Sequence, residues 1–253
     1  MNRTLRVGVV GAGAWGCALA DQLAKKSYSV SLWCFEAEVA QSIAESRINE
    51  IYLPGHRIHP LVSPTTDLLS CVQDKDLVVV AVPSHHVRTI ARQIGPALHR
   101  DSLLVSASKG IENDSLMTMS GVYSDALDIN FHKIYCVLSG PSFAMEVAKG
   151  MPTAVTVAAW DHRTAKRVQE IFSTTYFRCY TSTDVEGVEL GGALKNVVAI
   201  AVGVQALPTS FTATPDFSTI GQFDLTNVFN QLGVLAAVLT IFSFMLTDFF
   251  DTM

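Results

Sequence analysis

Residues 6–26 read RVGVVGAGAWGCALADQLAKK. An apolar β-branched run, Arg6 to Val10, enters Gly11-Ala12-Gly13-Ala14-Trp15-Gly16 and leaves as a helical stretch, Trp15 to Lys26. Strand, glycine turn and helix in that order lift a GxGxxG above chance, because each glycine then has its own task. Gly11 permits the tight turn, Gly13 lets the backbone approach a pyrophosphate, and Gly16 lets helix and strand pack closely. The helix start adds amide N–H groups and a partial positive charge, so this segment is expected to bind a dinucleotide.

Outward from that turn, apolar runs alternate with amphipathic ones. Val30 to Cys34, Leu77 to Val82, Leu103 to Ala107, Ile134 to Leu138, Ala154 to Ala158 and Phe177 to Thr181 read as strands. Glu36 to Glu45, His85 to Leu98, Phe143 to Lys149 and His162 to Thr174 read as helices, while Leu68 to Val72 is too short to assign. Strands apolar on both faces and separated by helices imply an α/β fold with a mostly parallel, doubly wound, Rossmann-like sheet.

Composition narrows the partners. The chain has 253 residues, 49% hydrophobic and 16% charged, with formal net charge −5. That charged fraction is well under the roughly 25% usual for soluble domains, and with no basic excess it argues against nucleic-acid binding. The first apolar stretch breaks at Gly11 and no cleavage-site pattern follows, so no export signal is read and a cytoplasmic location is expected. The five cysteines (Cys17, Cys34, Cys71, Cys136 and Cys179) are odd in number and lack any CxxC pair, which reads as buried thiols in a reducing compartment. Neither they nor the seven histidines show metal-ligand spacing.

Several side chains near predicted strand ends carry candidate chemistry. Glu36 lies 20 positions after Gly16; it would accept from the adenosine ribose hydroxyls, or merely favour the first turn of its helix through the macrodipole. No Arg or Lys occupies positions 33–36 to pair with a 2′-phosphate, which argues for NAD over NADP. Pro83 and Ser84 form a turn expected to flank the cofactor, and His85 and His86 behind it are either acid/base groups or surface residues of a helix start. Lys109 follows the strand LLVSA and would reach the active crevice or stand as a solvated loop cation. Gly140, Ser142 and Ala144 mark another glycine turn into a helix. Lys195 is a lone cation among Gly, Ala, Val and Leu, a setting that desolvates an ammonium at a penalty, and is the first candidate for a catalytic group.

Six ordered blocks resemble the NAD(P)-dependent glycerol-3-phosphate dehydrogenases of the bacterial type. They are VGVVGAGAWGCALA, IYLPG (51–55), AVPSH (81–85), SASKGIE (106–112), LSGPSFAMEVAKGMPTA (138–154) and GVELGGALKNVVAIAVGV (187–204). The resemblance implies NAD or NADP as cofactor and reversible hydride transfer with dihydroxyacetone phosphate, giving sn-glycerol 3-phosphate for phospholipid synthesis. It also implies Lys195 as general acid/base, Lys109 as a contact to both cofactor and substrate, and Gly140 and Ser142 along the substrate. Gly11, Gly13, Ala14, Trp15, Gly16, Phe35, Glu36, Pro83 and Ala144 would surround the cofactor. Phe35 departs from the family, whose members often place a basic or His side chain near the adenosine ribose.

The same resemblance divides the chain into a dinucleotide-binding domain (1–183), the start of a helical substrate domain (184–204) and an apolar tail (205–253). No Lys or Arg follows Lys195, and 225–247 carries no charge over 23 residues, enough for a membrane-spanning helix or for a helix buried in a soluble interface. The tail, ending DFFDTM, resembles a transmembrane stretch of hypoxanthine and guanine permeases and lacks the family's GDN-type turn and Ser-Arg-Asn phosphate cluster. A foreign tail, a membrane contact through 225–247, a homodimer and an impaired dehydrogenase are the resulting expectations. The alternative is a non-catalytic nucleotide-binding fusion fragment.

Overall fold

The computed structural model describes residues 5–127 and 131–205, with the side chains of 196–205 excepted. The tail read as 205–253, with its candidate span 225–247, lies outside these residues beyond Gln205. Among the described residues no helix is long and apolar enough to cross a membrane. Two compact units divide the chain, residues 1–192 and 193–253.

Among the described residues the first unit has ten strands: β1 (Arg6–Val10), β2 (Ser29–Trp33), β3 (Ile48–Asn49), β4 (Leu53–Arg57), β5 (Val62–Thr65), β6 (Leu77–Val80), β7 (Leu103–Ser106), β8 (Tyr135–Ser139), β9 (Thr153–Ala158) and β10 (Phe177–Ser182). Eight of them form one sheet in the order β10-β9-β8-β7-β6-β1-β2-β5, and β3 with β4 makes a separate hairpin. Seven helices accompany them: α1 (Ala14–Lys25), α2 (Ala37–Ser46), α3 (Leu68–Val72), α4 (Ser84–Ile94), α5 (Met119–Ala126), α6 (Ala144–Ala148) and α7 (His162–Phe172). An eighth, α8 (Val185–Gln205), runs through Gly192 into the second unit.

Burial follows position in the sheet. The central strands β6, β7 and β8 are buried at every residue, as strands covered on both faces must be. At one edge β10 alternates buried and exposed along Phe177 to Tyr180, and at the other β5 carries Pro64, a residue a ladder accepts at its edge. Two apolar clusters cover the faces. Val7, Val9, Leu77 and Val79 join α1 and α7 on one side, and Val10, Val78 and Val80 join α4 and α5 on the other. The doubly wound pattern is thus realised, with one reversal: β8 and β9 pair antiparallel, so β9 and β10 run against the other six strands. α6 between β8 and β9 has only five residues. It rises about 7 Å, less than half the roughly 17 Å of a five-residue strand, so the chain re-enters the sheet from the end it left.

The N-terminal part of α8 is tied to this frame by Glu189, only 6% exposed. Ser120 donates to it through N (2.9 Å) and Oγ (2.6 Å), and the Tyr135 hydroxyl donates at 2.6 Å. Burial pushes its carboxyl above the usual range, against the opposing pull of these donors.

Candidate functional site

Parallel strands bring their carboxyl ends to one rim, and four loops leave the sheet there: Gly11–Gly13 after β1, Ala81–Pro83 after β6, Ala107–Lys109 after β7 and Gly140–Ser142 after β8. They enclose an open cleft of about 360 Å³. Gly13, Ala14, Trp15, Pro83, Lys109, Ser142 and Ala144, all singled out from the sequence, line it together with Ala81, Val82, Ala107 and Ser108.

Each glycine of the turn answers to a different neighbour. Gly11 has φ +113°, and a Cβ there would stand 2.6 Å from the Ala81 carbonyl oxygen. A Cβ on Gly16 would fall 1.8 Å from the Gly11 carbonyl oxygen, so this residue sets how closely α1 meets β1. At Gly13 an added Cβ would meet nothing within 4 Å. Among the described residues no contact demands a glycine at 13, and the bare backbone leaves room for a ligand to approach. The amides of Ala14, Trp15 and Gly16 precede the first bond of the helix ladder, Cys17 N to Gly13 O at 3.0 Å, and form the positive end of the α1 dipole. Open space at Gly13 beside these amides fits a dinucleotide diphosphate.

Lys109 is half-buried and directed across the cleft. Its Nζ donates to the Gly140 carbonyl at 3.1 Å and to Ser142 Oγ at 3.4 Å, and lies 5.5 Å from the Trp15 ring centroid. Lys109 thus lines the cleft and is bonded to the loop after β8. Its loop is held in place by Ser108, whose Oγ accepts from Val82 N at 3.2 Å and donates to the Val80 carbonyl at 3.4 Å.

Phe35 and Glu36 stand past the end of β2 and do not line the cleft. The Phe35 ring is 79% exposed. Glu36 is the N-cap of α2, but its side chain makes no capping bond; it accepts from the Tyr52 hydroxyl at 2.8 Å. That bond pushes the Tyr52 phenol upward. His85 and His86 are exposed on the first turn of α4, ring against ring at 4.0 Å, as the surface reading has it. Lys195 belongs to the second unit and is half-buried. No group of three or more His, Cys, Asp or Glu among the described residues could hold a metal ion.

The hairpin β3–β4 was not foreseen. Asn49 of β3 reaches the glycine turn, donating to the Ala12 carbonyl at 2.8 Å. On the outer side Asp21 of α1, wholly buried, accepts from His59 N at 2.8 Å, sits 3.0 Å from His56 Nε2, and pairs with Lys25 at 2.8 Å. A polar residue inside an apolar helix face was the one signal available, and it named no partner. Burial also pushes the Cys17 thiol, beside Asn49, up to about 11, so it stays protonated at neutral pH.

Comparison with known proteins points to one family. The family model for the NAD-dependent glycerol-3-phosphate dehydrogenase N-terminus matches residues 6–165, and that for the C-terminus of the same family matches 184–249, which includes most of the segment expected to be foreign. The chain is 44% identical over 225 residues to a glycerol-3-phosphate dehydrogenase [NAD(P)+] of Syntrophotalea carbinolica, covering 88% of this chain and 68% of that one. It is 50% identical over 200 residues to the enzyme of that name from Anaeromyxobacter dehalogenans, covering 79% of this chain and 60% of the other. A glycerol-3-phosphate dehydrogenase crystal structure from Coxiella burnetii superposes with TM-score 0.73 at 30% identity, over 80% of this chain and 61% of that one. The chain thus spans about two thirds or less of these relatives' length. On the family match and the identities, this chain belongs to the NAD-dependent glycerol-3-phosphate dehydrogenase family.

Proposed function

We propose that this chain is an sn-glycerol-3-phosphate dehydrogenase [NAD(P)+], acting between NAD(P)H and dihydroxyacetone phosphate in the supply of glycerophospholipid precursors. The observation that carries the proposal is the juxtaposition, in one cleft, of an unobstructed Gly13 with the Lys109 ammonium. The nicotinamide group supplies the hydride; the protein's contribution is binding, orientation and charge.

Gly13, Ala14 and Trp15 receive the cofactor diphosphate at the helix start, with Pro83 and Ala144 flanking it. Phe35 and Glu36 lie toward the adenosine ribose, where the lack of a basic residue favours NAD over NADP. Lys109 orients cofactor and substrate, and Gly140 and Ser142 bound the substrate side. Lys195 is the general acid/base: its ammonium stabilises negative charge at the C2 oxygen of dihydroxyacetone phosphate and then delivers the proton. The Lys195 role rests on the resemblance of GVELGGALKNV to the family block.

Five buried thiols without a disulfide fit a reducing, cytoplasmic setting. A second reading, a nucleotide-binding module with a membrane-contacting tail, rests on the 23 uncharged residues of 225–247. The deciding experiment is oxidation of NADH or NADPH by purified chain with and without dihydroxyacetone phosphate, alongside Lys195→Met. Substrate-dependent turnover, lost in Lys195→Met while NADH still binds, supports the dehydrogenase. Cofactor binding without turnover, together with partition into detergent, would favour the second reading.

A further inference from the structure

Asn49 has no exposed surface, and a buried amide is retained only where its donors and acceptors are used. Here both ends are used. Oδ1 accepts from Tyr52 N at 3.0 Å, which fixes the side chain within its own hairpin. Nδ2 then donates to the Ala12 carbonyl at 2.8 Å and lies 3.2 Å from Cys17 Sγ. The Cys17 thiol donates to the same carbonyl at 3.3 Å.

Ala12 and Gly13 share one trans peptide, a planar unit whose C=O and N–H point in opposite directions. Two buried donors hold the carbonyl on the protein side. The Gly13 N–H is thereby turned the other way, on a residue that lines the cleft and has open space where a side chain would be. Glycine turns are the segments most free to rotate a peptide, because no Cβ resists it. A fixed carbonyl removes that freedom before any ligand arrives, and preorganised donors bind anions more tightly than donors that must first be ordered.

We propose that Asn49 is a positioning residue for the cofactor diphosphate: by clamping the Ala12 carbonyl it presents the Gly13 N–H to a phosphate oxygen. The inference rests on the dinucleotide reading of the cleft and adds to it a residue from outside the GxGxxG segment, 37 positions from the carbonyl it holds.

The test compares wild type with Asn49→Leu, close in volume but unable to donate, using NADH, ADP-ribose and adenosine as probes. Binding is followed through tryptophan fluorescence, Trp15 lining the cleft, and, for adenosine, by competition. Loss of the clamp is expected to weaken NADH and ADP-ribose about tenfold, while adenosine, which has no diphosphate, stays within about twofold. Folded Asn49→Leu protein that binds ADP-ribose as wild type does would overturn the proposal. So would an equal loss for adenosine, which would mark a general distortion of the domain. If circular dichroism shows Asn49→Leu unfolded, Asn49→Ser, smaller and too short to span to Ala12, carries the same comparison under the same two outcomes. Wild-type chain that bound neither NADH nor ADP-ribose would overturn the cofactor reading itself, and this proposal with it.

Discussion

Two depressions on the first unit have similar volumes, about 360 Å³ at the glycine turn and about 440 Å³ beside α4, yet they treat charge in opposite ways. Beside α4, Arg88 is ringed by acids. It pairs with Glu112 at 2.7 Å and with Asp125, and Arg92 adds a contact to Asp125 at 3.9 Å. Arg88 and Ser115 hold the Glu112 carboxyl down to about 2. The positive charge there is matched by acids within the protein, and the side chains act as a clasp between α4 and the segment after β7. At the glycine turn the donors are backbone amides and the Lys109 ammonium, the one charged side chain among the described residues that lines the walls. Volume therefore does not separate the two depressions; the kind of polar group that lines each one does.

The contrast breaks first at the glycines. Gly16→Ala drives a methyl into the Gly11 carbonyl and should destabilise the fold by about 3 kcal/mol, a fall of roughly 10 °C in melting temperature by calorimetry. Gly13→Val, three positions away, meets no protein atom at its Cβ. It should leave melting within a few degrees while weakening NADH about 100-fold in a fluorescence titration, near 2.7 kcal/mol. Equal effects of the two on stability would erase the distinction between a packing glycine and a ligand glycine.

The charged depression should respond in reverse. Arg88→Ala strands Glu112, whose side chain is 10% exposed. Denaturant unfolding should show about 2 kcal/mol lost, discounted for the partly open site, with the NADH dissociation constant changed less than threefold. A large loss of NADH affinity instead would join the two depressions functionally.

The smallest effect is a pH dependence. Because the folded state lowers the Glu112 carboxyl from its ordinary 4.5 to about 2, its ion pair contributes fully above pH 4.5, and that contribution is lost as pH falls from 4.5 toward 2. Melting curves of wild type and Glu112→Gln should converge across that window. Parallel curves would place the acid sensitivity in other carboxylates.

The elements that carry the cleft were legible because local patterns sufficed. A buried parallel strand is apolar throughout, so β1, β6, β7 and β8 announced themselves, and the four loops at their carboxyl ends followed from the sheet rule. The α3 segment, with five residues, and β3, with two, were not assigned, since periodicity needs more turns or pleats than they possess. Glu36 shows the limit for side chains. Its spacing from Gly16 placed it beyond β2, but its engagement with Tyr52 depends on a hairpin that the spacing does not encode.

From the order of residues alone came the strand-turn-helix unit, the family, and the roster Gly13, Trp15, Lys109, Ser142 and Ala144 around one cleft, because each depends on contacts within a few residues or on motif identity. Folding alone decided that β9 and β10 run backward, that Lys109 leans on Gly140 instead of solvent, and that Asn49 reaches under the glycine turn. Those outcomes depend on groups 31 and 37 residues apart, whose meeting is set by how the whole sheet closes rather than by any preference of the residues themselves.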